Sequence, residues 1–485
     1  MHNTALIDTL RTFSKQDLKE FGLFINSPFY NTNQSVIKMY NQIKILYPDF
    51  DEKYLDKKTL YNKSFGKMVY DDSFMRMTVF RLMELAKEFL VHVNLKRNNL
   101  LKETILLDEL NNRELNKLLI KNIQELDRKI DKQKVKEADT YFVKYKMEYF
   151  RNDIKSRDTK TITYKDKLNK DLLLEQKNLN IFFFLSSLKF FQYFLNQKNF
   201  VVNTEGYPDF VNSILEYLKN NKDYMKVPAI KLYYIMTLLL LTEDDKYFFK
   251  LKKILFEDND NLSYFEKFNL IANLRNYAQK KFNEGQSEFK TSVIEIIKFS
   301  IKKNILTTAE GGKYVSELRF MTIVWVGIVS NELNWIEKFI KEFINKIEPN
   351  KRQYVFAYNI SILEFTKKNY TEALEILGKS GSIKNVFYKT AVKQLTLMIY
   401  YELKWYTPAF DLLDSYKHFI KTDKLLPEIY KSKSSIFIKY YSKLLKIIES
   451  TGDEKFVITK LISELKLTSQ QWLLEKAEEF QKRSW

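Results

Sequence analysis

Cysteine is absent from the 485 residues, which excludes disulfides, zinc ribbons and cysteine nucleophiles together. Histidine is almost absent: His2, His92 and His418 stand far apart, so no histidine-rich metal site is expected. Glycine and proline number only ten and seven, where the two together average about 12% of a globular chain. Between Gly66 and Gly206 neither occurs, over 139 residues. Glycine supplies positive-φ turns and proline breaks helices and interior strands, so tight hairpins have little place here. The same scarcity removes the loops on which phosphate cradles and nucleophile turns are built. Long apolar runs are lacking too. The greasiest stretch, 181–195, spans 15 residues and contains Lys189, short of the ~20 a membrane helix needs. The first eight residues carry no basic stretch ahead of an apolar one, so no secretory leader is expected and the expected setting is cytoplasmic.

Arginine is the last scarcity. Of 80 basic residues only 12 are arginine, against 61 acids and a formal charge of +19. Arginine is the usual reader of phosphates and guanines, so the positive balance argues less for nucleic acid than its size suggests. The excess is spread: 36 bases against 26 acids over 1–200, 21 against 20 over 201–350, and 17 against 9 over 351–450. The last region is the densest, and its lysines favour an acidic partner segment.

What remains is 45% hydrophobic and 15% aromatic, enough apolar surface to exclude disorder. The length exceeds a single typical core. Helix follows helix. Ser14 reads as an N-cap with Asp17 in the first turn and Phe13 stapled to Leu18; Leu18, Phe21, Phe24 and Ile25 then share a face, and Pro28 stops the helix. Further helices are expected from Gln34, around 58–65 up to Gly66, and from Asp71-Asp72 with Met75, Val79, Leu82, Ala86 and Phe89 at helical spacing. Leu119, Ile123, Leu126 and Ile130 form a short coiled-coil-like seam that packs within the chain. Residues 151–170 turn polar and read as a connector. Residues 172–200 and 232–241 are apolar on several sides, so they are expected inside.

A repeat emerges in the last third. Residues 364–377, with Tyr370, Ala373 and Leu377, have a counterpart at 400–413, with Tyr406, Ala409 and Leu413. A fainter copy covers 331–338, where Trp335 matches Tyr370 and Lys338 stands in place of the alanine. These units resemble tetratricopeptide repeats, helix-turn-helix pairs of about 34 residues that stack into a superhelix. The resemblance implies that Ala373 and Ala409 let paired helices approach closely while Tyr370 and Tyr406 fill the gap beneath the turn. Ser361 matches the small residue of the first helix; Leu397 replaces it in the next unit, and the repeat-terminal proline is missing from both. Residues 468–471 read as the capping-box start of a final capping helix.

Motifs that carry chemistry are missing. Gly311-Gly312 has no phosphate-loop context. Residues 257–261 begin like a calcium loop, yet Ser263 and Asn269 stand where glycine and glutamate belong, which leaves a solvated turn. Glu243-Asp244-Asp245 resembles a diphosphate motif, but Phe248 replaces the needed acid and the acids read as a helix start. His418 sits near the end of a repeat helix and reads as solvated.

The sequence therefore predicts an all-α protein: an N-terminal helical module (1–98), a long helical segment and connector (99–170), stacked helices (171–315) and an α-solenoid of tetratricopeptide type with a C-terminal capping helix (316–485). The expected function is a non-enzymatic interaction scaffold, without cofactor or metal, that binds a protein or peptide, acidic by preference, on the first helices of the repeats. Asn359, Lys393 and Tyr400 are the candidate contacts. The alternative is a regulator that senses a partner through the repeats and whose basic N-terminal module touches nucleic acid through Arg76 and Arg81, which stand away from the Met75–Val79–Leu82 stripe. No membrane association is expected.

Overall fold

The structure, a computed structural model, describes residues 4–66, 68–157, 165–197, 208–257, 261–307, 311–449, 455–468 and 470–483. It is all-helical, with twenty-three α-helices and no strand among the described residues. No helix there is long and apolar enough to cross a membrane. The chain divides into two compact units, 1–186 and 187–485.

In the first unit, α1 (Ala5–Arg11), α2 (Lys15–Asn26), α3 (Gln34–Lys44), α4 (Lys57–Phe65) and α5 (Asp72–Arg97) enclose an aromatic core. The Phe21 ring lies 5.1 Å from Tyr40 and 5.2 Å from Phe89. Local sequence sets the ends. The Ser14 hydroxyl accepts from the Asp17 N–H, and the Asp17 carboxylate accepts from the Ser14 N–H at 2.9 Å, a complete capping box. Asp71 caps α5 through the N–H groups of Ser73 and Phe74. Then α6 (Asn99–Asn112), α7 (Asn116–Asp131) and α8 (Ala138–Arg157) share a second core, where Leu119, Ile123, Leu126 and Ile130 pack on Leu107, Leu110, Val143 and Met147. The heptad-like seam is thus satisfied within the chain. The polar stretch from Arg151 to Arg157 continues α8 and packs on α9 (Lys165–Gln197), with Asn152 donating to Glu175 at 2.7 Å and Lys155 paired with Asp171.

Helix α9 departs from its expected enclosure. Ile181, Leu185, Leu188 and Phe191 are buried, but Leu173, Phe183, Phe190 and Tyr193 are exposed. Apolar residues run right round this helix, and the stripe at three- and four-residue spacing is the part that is fully buried, with Phe182 beside it packed 5.2 Å from the Phe142 ring. By contrast Leu232, Tyr233, Ile235, Met236 and Leu239, on α11 (Pro228–Thr242), are all buried.

The second unit continues with α10 (Pro208–Asn220), α12 (Asp245–Glu257), α13 (Tyr264–Asn283), α14 (Glu288–Lys302), α15 (Glu317–Val329), α16 (Leu333–Phe343), α17 (Arg352–Thr366) and α18 (Tyr370–Gly378). It closes with α19 (Val386–Glu402), α20 (Tyr406–Thr422), α21 (Glu428–Glu449), α22 (Lys455–Lys466) and α23 (Gln471–Arg483). Its main helix contacts run to the next helix or the next but one. As the acid run suggested, α12 starts at Asp245, and Phe248 is buried. The calcium-like stretch includes 258–260, outside the described residues; Ser263 forms a capping box with Glu266 at the start of α13.

One turn recurs, and it explains how the chain manages with so little glycine. At six helix ends an N–H reaches back five residues: Leu115 to Leu110, Gln286 to Lys281, Ile305 to Ser300, Glu332 to Gly327, Asn369 to Glu364 and Trp405 to Tyr400, all at 2.8–3.1 Å. This is the closing bond of a Schellman motif, and it needs a left-handed residue just before the donor. Those residues are Glu114, Gly285, Asn304, Asn331, Lys368 and Lys404, with φ from 54° to 93°. Only one of them is glycine. The chain places ordinary side chains where most proteins use glycine.

Three of these turns join α15 to α16, α17 to α18 and α19 to α20. In each, the second helix starts two residues after the left-handed position, at Leu333, Tyr370 and Tyr406. Three residues into these helices stand Ile336, Ala373 and Ala409, each fully buried. The faint copy is therefore shifted from its sequence alignment: Ile336, not Lys338, corresponds to the alanines. Close approach is kept by exchanging sizes, because Gly327 on α15 receives Ile336, and a Cβ there would stand 1.9 Å from its Cγ1. The aromatic pairs beneath the other two turns are Phe365–Tyr370, 5.4 Å between ring centres, and Tyr401–Tyr406, 6.4 Å. Trp472 of α23 lies 5.3 Å from Tyr401 and stacks on Tyr441 at 6.3 Å, and its indole N–H donates to Glu402. The capping box expected before it includes Ser469, outside the described residues.

Candidate functional site

Along helices α20 and α21, joined by the turn at 423–427, runs an open groove of about 650 Å³. One face of each helix lines it. Lys417 and Lys421 are one turn apart on α20; Lys431, Ser432, Ser435 and Lys439 share the facing side of α21. Ile420 and Ile438 close the floor and are buried. The walls carry four lysines against one acid, Glu428. Lys431 pairs with Glu428 at 2.8 Å, and Lys417 with Asp414 at 2.9 Å. Both acids are far more exposed than is usual for a fixed pair, at 88% and 79%, so these ion pairs are weak and exchangeable. Lys439 leans over Tyr440, 5.1 Å from the ring centre. Leu425, Ile429 and Tyr430 add exposed apolar surface around the turn. Chemically this is a solvated cationic trough with an apolar floor. It can hold carboxylates by charge, and an apolar side chain between them by burial.

The residues singled out from sequence lie elsewhere. Asn359 is fully enclosed on α17: its amide donates to the Val355 carbonyl at 2.7 Å and to the Tyr388 hydroxyl at 3.2 Å. It is not a surface contact. The Tyr388 hydroxyl in turn donates to the Glu317 carbonyl at 3.0 Å, while the Glu317 carboxylate accepts from Asn385 at 2.8 Å and pairs with Lys351 at 3.2 Å. Burial raises the Glu317 pKa, but the hydrogen bonds from Asn385 and Lys351 outweigh it and hold the group below the usual glutamate value. Asn359 thus belongs to a polar tie joining α15, α17 and α19. Lys393 is half-buried with its ammonium on the Ser415 hydroxyl at 2.9 Å, and burial lowers its pKa. Tyr400 is half-buried beside Trp405, 5.9 Å between rings. The structure does not gather the three into one open face. His418 is exposed on α20.

Arg76 and Arg81 are both exposed on α5, and Arg76 pairs with Asp72 at 2.9 Å. The same exposed face carries Met77, Phe80, Glu88 and Val91. It is mixed in character rather than basic.

Sequence reasoning found the lysine excess of 351–450 but not its focus. The signal was present in the four-residue step from Lys417 to Lys421 and in Lys431 and Lys439 at two-turn spacing. Compared with known proteins, the chain matches no family model, no curated sequence and no solved structure.

Proposed function

We propose that the protein is a non-enzymatic interaction scaffold whose C-terminal helices form a solenoid of tetratricopeptide type, and that the α20–α21 groove receives an acidic protein segment. The solenoid reading rests on the recurring turn at Asn331, Lys368 and Lys404 with a buried residue three positions into each second helix. Helix pairs so joined stack neighbour on neighbour and expose extended grooves. The observation that carries the binding function is the four-lysine lining of the groove over a floor of Ile420 and Ile438. Lysine is a strongly hydrated point charge with little geometric demand, so it suits an acidic helix or strand better than one fixed ligand. The mixed face of α5, with Glu88 and exposed Phe80 beside its arginines, favours this reading over contact with nucleic acid.

A dye-labelled peptide of alternating glutamate and leucine, titrated with the full chain and followed by anisotropy, tests it. Binding should be saturable and fall with salt. Lys421→Glu with Lys439→Glu should abolish it, and a single-stranded oligonucleotide of equal charge should bind more weakly. No peptide binding at 50 mM salt, or equal binding by the charge-reversed variant, refutes the reading; tighter oligonucleotide binding lost on Arg76→Gln with Arg81→Gln installs the nucleic-acid regulator instead.

A further inference from the structure

Between residues 158 and 351 the chain has only two arginines, Arg275 on α13 and Arg319 on α15, and both line one pocket. Apart from Ser300, whose hydroxyl donates to the Ile296 carbonyl at 2.8 Å, its other walls are apolar, Ile271, Ile297 and Ile323 among them. Arg319 is held in place. One guanidinium N–H donates to the Leu306 carbonyl at 2.8 Å, and the guanidinium carbon sits 4.3 Å above the Phe268 ring centre. Among the described residues the Arg275 guanidinium makes one hydrogen bond, to the Asn276 amide oxygen at 3.0 Å. Neither guanidinium forms an ion pair among the described residues. Burial lowers the pKa of both groups, and at Arg319, brought down to about 10, the charge of Arg275 adds to the effect.

Both side chains are half-buried, and two like charges partly withdrawn from water at a largely apolar pocket are costly unless an opposite charge joins them. Arg319 spends one of its five donors on Leu306, so most of the donor set of the two forks is uncommitted. The pocket is partly open to solvent, and its inner space is about 20 Å³, slightly more than the ~10–15 Å³ needed to hold one water. That admits one small anionic head and no nucleotide. Guanidinium forks match the two oxygens of a carboxylate, and the isoleucine walls suit a short aliphatic stem behind it.

We propose that Arg275 and Arg319 form a binding site for one carboxylate group, clasped between the two guanidiniums with its carbon stem against Ile271, Ile297 and Ile323. The carboxylate comes either from a free short-chain acid or from an acidic side chain of a bound protein segment. The site does not depend on the α20–α21 groove.

The test uses the full chain at pH 7, with sodium propionate as probe and sodium chloride at matched ionic strength as control. Propionate should raise the melting temperature saturably beyond chloride. Arg275→Gln and Arg319→Gln should each weaken propionate at least about tenfold, the loss expected when one charge-assisted pair goes, while Lys421→Glu leaves it unchanged. Arg319 also braces Phe268, so far-UV circular dichroism accompanies each variant; if Arg319→Gln unfolds, Arg275→Gln decides. The glutamate–leucine peptide distinguishes the sources. Competition between peptide and propionate, lost in Arg275→Gln, assigns a side-chain carboxylate; saturable propionate binding without competition assigns a free acid. A propionate response identical to chloride, or one that survives in a folded Arg275→Gln variant, overturns the site.

Discussion

Replacing Lys368 and Lys404 by glycine should stabilise the protein, because each occupies a left-handed backbone position that carries a Cβ at a cost. Their φ angles are 69° and 60°, and an L-residue there costs about 1–2 kcal/mol against a right-handed conformation. Glycine removes that strain but enlarges the unfolded ensemble, which returns about 0.4–1 kcal/mol. The net gain is roughly 0.5–1 kcal/mol per site. Both side chains are exposed, so little packing is lost. The closing bonds, Asn369 N–H to the Glu364 carbonyl at 2.9 Å and Trp405 N–H to the Tyr400 carbonyl at 2.8 Å, are backbone groups that the substitution keeps. For the double variant the melting temperature should rise by about 2–5 °C, read by calorimetry, given the usual few degrees per kcal/mol in units of this size. Alanine controls decide the cause. Lys368→Ala and Lys404→Ala keep the Cβ and should change little. If glycine and alanine raise stability equally, relief of lysine repulsion is responsible and the strain argument fails; if glycine lowers it, the turn is not strained at all.

Gly327→Ala should destabilise by about 1–3 kcal/mol through overpacking, since its Cβ would meet Ile336 Cγ1 at 1.9 Å. Adding Ile336→Ala should recover part of that loss in urea unfolding; strict additivity would show that the two helices do not meet there. Tyr441→Phe should cost about 1–2 kcal/mol, because the buried Leu397 carbonyl loses the hydroxyl that donates to it at 2.6 Å. The hydrogen bond from Lys341, with that from Lys367, holds Glu337 down to about 2, against 4.5 for an ordinary glutamate. A depressed folded pKa stabilises above the unfolded value, so this contribution is present above about pH 4.5 and is lost as pH falls towards 2. The group is a third exposed, which limits the effect to under about 1 kcal/mol. Glu337→Gln should flatten that part of the acid limb, and an unchanged acid profile would remove the interaction.

Much of the helical fold was legible because its signals are local. A capping box needs only Ser14 and Asp17, and a core stripe needs only the spacing of Leu119, Ile123, Leu126 and Ile130. What was not legible depends on partners distant in the chain. Asn359 reads as a polar residue fit for a surface, but Tyr388, twenty-nine residues on, accepts from its amide N–H inside the core. Lys338 matched Ala373 only while Trp335 was taken as the aromatic beneath the turn. The turn itself sets the register two residues earlier, and glycine scarcity hid it, because Lys368 and Lys404 carry no mark of a left-handed position and Asn331 carries only the weak one of its residue type. Strain of a kcal/mol or so per turn is small beside the burial of a helix face, so packing chose the conformation and the sequence motif did not have to.

On the proposed reading the two cationic sites divide the work by residue type, and this follows from how each cation meets water. The groove lysines stand on open helix faces, where a mobile ammonium keeps most of its hydration and contributes attraction over a distance of about 10 Å, the screening length near 0.1 M salt. Such a surface gathers an acidic chain without fixing its geometry. The arginines of α13 and α15 are rare in a lysine-rich chain, partly dehydrated, and one is braced by Phe268 and the Leu306 carbonyl. A planar fork so held selects by shape as much as by charge, and salt screens an enclosed contact far less than an open one. Raising sodium chloride from 50 to 300 mM should therefore weaken glutamate–leucine peptide binding at the groove steeply while leaving propionate binding at the arginines nearly constant. Equal salt sensitivity at both would mean that the two arginines attract the carboxylate by charge alone and do not clasp it.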